Sequence, residues 1–139
     1  MSAPKSRKFA LEYQRSQVQT ARPTQLVVML YDGAIRFLNV AREELGSGDL
    51  EARHKNLLRA QRVIGELISS LNSEKGGEVA ANLQRVYTFM LQQLVEANLH
   101  DKVEPIDHVI DLLRDLRRSW QEVDNKMSPV TSAVKKHAA

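Results

Sequence analysis

The chain has 139 residues, 42% apolar and 27% charged, a formal net charge of +3 and no cysteine. That is one ordinary globular domain, without disulfides or thiolate metal sites, and with aliphatic side chains in place of its scarce aromatics (5%) for a core. Much of the positive excess sits at the ends, in Lys5, Arg7, Lys8, Lys135 and Lys136, so it implies no nucleic-acid surface.

In chain order, residues 1–8 are small and basic and are expected to be disordered. Residues 1–16 contain no apolar leader core, and no later apolar run is long enough to span a bilayer. A cytoplasmic protein without stable membrane insertion is the expectation. Residues 9–20 carry isolated apolar side chains (Phe9, Leu11, Tyr13, Val18) and read as an N-terminal arm.

Arg22-Pro23 then punctuates, with Pro23 suited to the first position of a helix. The stretch VVMLYDGAIRFLNV, Val27 to Val40, decides the fold class. Asp-Gly between apolar runs is a hairpin signal, but Leu26, Leu30, Ala34, Phe37, Ala41 and Leu45 recur in steps of three and four. That period belongs to an amphipathic helix. Asp49 is placed to cap a second helix with the face Leu50, Leu57, Gln61, Ile64, Ile68, Leu71. Gly76-Gly77 marks the next break. A third helix carries Val79, Leu83, Val86, Tyr87, Met90, Leu94 and Ala97. A fourth carries Ile106, Val109, Leu113, Leu116 and Trp120, with Pro105 tolerable only near its start. Residues 124–139 read as a flexible polar tail. Four similar helices on short loops predict an all-α, antiparallel up-down four-helix bundle over residues 9–123.

The first helix is more apolar than a bundle requires. Between Thr24 and Leu45, thirteen of twenty-two residues are apolar, against about three in seven for a core-facing helix. Val28 and Ile35 flank the core face on one side, Met29 and Val40 on the other. Gly33 lies between Met29 and Val40, where a mid-helix glycine costs about 1 kcal/mol relative to alanine. The absent side chain leaves room for another chain, over a groove walled by Met29, Arg36 and Val40. Phe89 similarly falls on the polar face of the third helix, and Val95 and Leu99 lie off its core stripe. Three readings stay open here: helices packed against two neighbours each, a surplus covered by the N-terminal segment of the same chain, or vacant grooves for amphipathic segments of another protein. On the third reading, Phe9, Tyr13 and Val18 form a flap over part of that surface.

Catalytic and metal motifs are weak. Glu51-Ala-Arg-His54 has the Glu-x-x-His spacing of di-iron bundles but lacks the second motif and further inward glutamates that chemistry needs. Glu104 and His108 read as a surface pair. Asp32 is either a partner contact or a plain surface carboxylate. Arg114, Arg117 and Arg118, late in the fourth helix and interrupted by Asp115, read as a solvated face favoured by the dipole rather than as a docking patch. No catalytic residue, cofactor or metal is expected.

YQRSQVQTARP followed by LVVMLYDGAIRFLNVAREEL resembles the flagellin-specific export chaperones, the FliS family. LLRAQRVIGELISSLN, EKGGEVAANLQRVYTFM and LVEANLHDKVEPIDHVIDLLRDLRRSW extend the likeness across Tyr13 to Val123. The resemblance implies a cytoplasmic, non-enzymatic chaperone that binds the disordered C-terminal region of flagellin, prevents premature polymerisation and delivers it to the flagellar type III export gate. It puts Tyr13, Tyr31, Asp32, Gly33, Tyr87 and Phe89 on the family's motif positions. With Val18, Met29, Arg36 and Val40 from the apolar pattern, Tyr13, Tyr31, Asp32, Gly33 and Phe89 make the expected partner-binding set. A helical adaptor for some other regulatory amphipathic helix is the alternative, and the oligomeric state is left open. Two departures are local. Arg22 stands where the family has a Ser or Thr cap, a loss of about 1 kcal/mol, and Pro105 replaces a better helix former.

Overall fold

The computed structural model describes residues 22–127, which form four helices. The arm, with Tyr13 and Val18, and the tail beyond Met127 lie outside the described residues. Helix α1 (Pro23–Ser47) opens on its proline and ends at Gly48, whose φ of 83° lets the chain turn while its N–H bonds Glu44 O. Helix α2 (Leu50–Ser69) is capped as expected: the Asp49 carboxylate accepts from the Ala52 N–H. Helix α3 (Ser73–His100) is capped by Asn72, which accepts from Lys75 N–H, and helix α4 spans Glu104–Met127.

Contacts between specific side chains establish the antiparallel arrangement. The start of α1 meets the end of α4 through Arg22 and Asp124, and its later part meets the start of α4 through Arg42 and Asp107. The start of α2 meets the end of α3 through Arg53–Asp101 and His54–Asn98. The end of α1 meets α2 through Glu44–Asn56. The order around the bundle is therefore α1, α2, α3, α4, with α4 returning to α1.

The core is built from all four helices: Tyr31, Ala34, Leu38 and Ala41; Leu57, Ala60, Ile64 and Leu67; Tyr87, Met90, Leu94 and Ala97; Ile106, Val109, Ile110 and Leu113. Three details differ from the expected registers. The α1 face is centred on Ala34, Leu38 and Ala41, so that Leu26, Leu30, Phe37 and Leu45 sit at its margins, half-buried. Gly76-Gly77 lies inside α3 rather than before it, and Gly77 (φ 52°, ψ −125°) kinks the first turn. Only glycine takes that conformation without strain. Finally, α4 does not fray at Asp124. That side chain is buried and holds the start of α1, so the helix continues to Met127.

Arg22 explains both the missing cap and the longer α4. It makes no side-chain capping bond to α1. Instead its guanidinium forks onto Asp124, Nε to Oδ1 and Nη2 to Oδ2 at 3.0 Å each, while Thr24 Oγ1 donates to Oδ1 at 2.8 Å. A local cap is replaced by a long-range clasp between the first and last helices.

Candidate partner-binding site

On α1, Thr24, Asp32 and Arg42 reach α4, whereas Phe37 and Glu44 reach α2 through Arg59 and Asn56. At 100° per residue this places Val28 and Ile35 on the α4 flank and Gly33 and Val40 on the α2 flank, with Met29 and Arg36 outside them. Val28 is buried, whereas Val40 keeps 39% of its surface. A Cβ built on Gly33 would meet nothing within 4 Å. The space in front of this glycine is open, Met29 is half-buried beside it and Arg36 is exposed.

Tyr31 is elsewhere. It has no accessible surface, and its hydroxyl shares a 2.5 Å hydrogen bond with that of Tyr87 inside the core. The expectation that Tyr31 faces a partner is corrected: its hydroxyl pairs with that of Tyr87 in the interior, one phenol donating and the other accepting. Burial pushes both phenols above their ordinary pKa, holding them neutral. Asp32 is not free either. Arg117 of α4 holds it through Nε and Nη2, and the carboxylate in turn raises the pKa of the guanidinium.

The other exposed apolar side chains follow the seams that α1 and α4 do not share. On the α2–α3 seam, around the His54–Asn98 hydrogen bond of 2.8 Å, lie Leu50, Val95 and Leu99, the last 70% exposed. Phe89 lies toward α4, its ring meeting His108 edge-on at 5.4 Å between centroids, while Val79 is exposed at the rim of a cavity it shares with Trp120, and Val123 is exposed late in α4. His108 thus meets Phe89 edge to face, and no ion pair with Glu104 is formed. Phe89 also borders a hollow of about 460 Å³ with Gln84, Arg85, Thr88 and Gln92.

Near the Gly77 kink, a largely apolar cavity of about 290 Å³ opens between the helices, lined by Val27, Leu67, Leu71, Leu83, Tyr87 and Trp120 among others. Trp120 packs against the core as expected, and also forms part of this wall. The periodic pattern assigned Leu50 and Val79 to the core and did not single out Val123. The available signals were the terminal position of Leu50, directly after the Asp49 cap, and the glycine pair two residues before Val79. No group of His, Asp or Glu among the described residues is arranged to hold a metal, and His54 is engaged with Asn98 instead.

A family model described as "Flagellar protein FliS" matches residues 6–127. A relative from Salmonella typhimurium, "Flagellar secretion chaperone FliS", is 39% identical over 114 residues, covering 81% of this chain and 84% of its own. Relatives of the same name from Campylobacter jejuni (37% identical; 81% and 88% covered) and Bacillus subtilis (33%; 79% and 81%) are also similar. In fold, the chain is similar to a solved structure described as "Crystal structure of flagellar chaperone from bacteria", with a TM-score of 0.70 at 20% identity over 82% of this chain and 95% of that one. The open seams therefore sit on a bundle whose relatives are chaperones rather than enzymes, and the chain belongs to the FliS family.

Proposed function

We propose that this protein is the cytoplasmic export chaperone of a flagellin. It holds the client's C-terminal segment as amphipathic helices laid into the open seams, prevents premature polymerisation, and delivers the client to the flagellar type III export apparatus. The observation that carries the reading is the set of apolar positions left open outside a complete core: Val40, Leu50, Val79, Phe89, Val95, Leu99 and Val123. They are distributed around the bundle rather than gathered in one patch, which suits an extended client that wraps.

A disordered segment that folds on binding must offset its ordering entropy with a large apolar interface. A bundle whose grooves are already formed loses little entropy of its own. Gly33 lets a client backbone come close, and Met29 can adjust to different side chains. The test is titration of a flagellin C-terminal peptide into the full chain. One-to-one binding with heat release and a gain of helical circular dichroism is expected; no heat together with an unchanged spectrum defeats the reading.

A further inference from the structure

The expectation that the dipole of α4 explains its arginines fails on the structure. The helix runs to Met127, and the basic residue in its last turn is Lys126. Arg114, Arg117 and Arg118 lie two to three turns earlier, beyond the reach of a terminal dipole. They line a hollow of about 330 Å³ with Gln121 and Glu122. We propose that this hollow is a second docking site, taking an acidic segment of a partner protein independently of the apolar seams.

The three guanidinium groups are differently committed. Arg117 is oriented by Asp32 through Nε and Nη2, leaving Nη1 unused by that pair. Arg118 meets Asp115 only at 3.8 Å, and both are more than 70% exposed, so solvent screens the pair heavily. Arg114 is exposed and forms no ion pair among the described residues. Arg114 and Arg118 are four apart and so stand one above the other on α4, about 5–6 Å apart at their Cβ atoms. Carboxylates spaced by one turn on a partner helix match that separation, and a planar guanidinium binds a carboxylate through two parallel hydrogen bonds.

Charge and lining select the partner class. Asp115, beside Arg118, and Glu122, in the lining, interrupt the basic surface, which disfavours a continuous phosphate track, and the lining has no aromatic ring on which a base could stack. It also has no apolar side chain to enter a lipid surface. A mixed but net acidic peptide suits interleaved charges.

The probe is a labelled sixteen-residue alanine-based peptide with glutamate at every fourth position, compared with its glutamine counterpart by fluorescence anisotropy on the full chain. The glutamate peptide should bind, weakening as salt rises. Arg114→Glu with Arg118→Glu should weaken it at least tenfold while leaving flagellin-peptide affinity within twofold. Arg62→Glu with Arg85→Glu, the same charge change elsewhere on the surface, should cost less than threefold. Equal binding of the glutamine peptide, an equal loss from the control pair, or stronger competition by duplex DNA or anionic vesicles than by unlabelled glutamate peptide would each overturn the proposal.

Discussion

Helix α1 has two flanks of similar apolar content that the fold treats differently. Val28 and Ile35, toward α4, are packed within the chain, and the seam outside them is crossed by Arg22–Asp124, Asp32–Arg117 and Arg42–Asp107. Gly33 and Val40, toward α2, are left open. Surplus hydrophobicity on a helix therefore marks two kinds of surface at once, one that a neighbouring helix consumes and one that stays exposed. Charged residues separate the two: carboxylates on α1 that find arginines on α4, and the reverse, identify the closed side.

The largest stability effect should come from the closed flank. Asp124→Ala removes the acceptor for both Arg22 and Thr24 and should lower unfolding free energy by about 2 kcal/mol, measured by urea denaturation, while flagellin-peptide affinity is unchanged. A midpoint that does not move would show that α4 ends on packing alone. On the open flank the signs reverse. Gly33→Ala should stabilise by up to about 1 kcal/mol, because its Cβ enters free space and helix propensity improves. Gly33→Leu should keep the fold yet weaken the client about tenfold, equivalent to about 1.4 kcal/mol. Full affinity in the leucine variant would remove Gly33 from the site.

This asymmetry marks how far the sequence could be read. Four helices, their short links, the Pro23 start and the Asp49 cap were legible because periodicity and capping are local. The missing cap at Arg22 was legible for the same reason, but its remedy was not, since Asp124 is 102 residues away. Tyr31 failed likewise: an amphipathic side chain at a family motif position faces inward because Tyr87, 56 residues on, supplies the hydroxyl it needs. Val79 failed because one glycine, Gly77, changes the direction of the chain just before it. Of the candidate site, Gly33, Val40 and Phe89 were legible as apolar or small residues out of phase with the core. Asp32 reads two ways in sequence because Arg117, the residue that holds it, is 85 residues away.

The smallest effect concerns that ion pair. Asp32 and Arg117 are both substantially exposed, and solvent-screened pairs contribute at most about 1 kcal/mol. If Val28 and Ile35 close the flank, Asp32→Asn should lower stability by less than about 1 kcal/mol, and added salt should erase the difference. The same substitution leaves Arg117, which lines the arginine hollow, without its carboxylate. Binding of the glutamate peptide should then rise two- to threefold, because a competing internal acid is gone, even though the guanidinium is less firmly oriented. A stability loss well beyond about 1 kcal/mol would mean that charge, rather than the packed Val28 and Ile35, holds the α1–α4 flank shut.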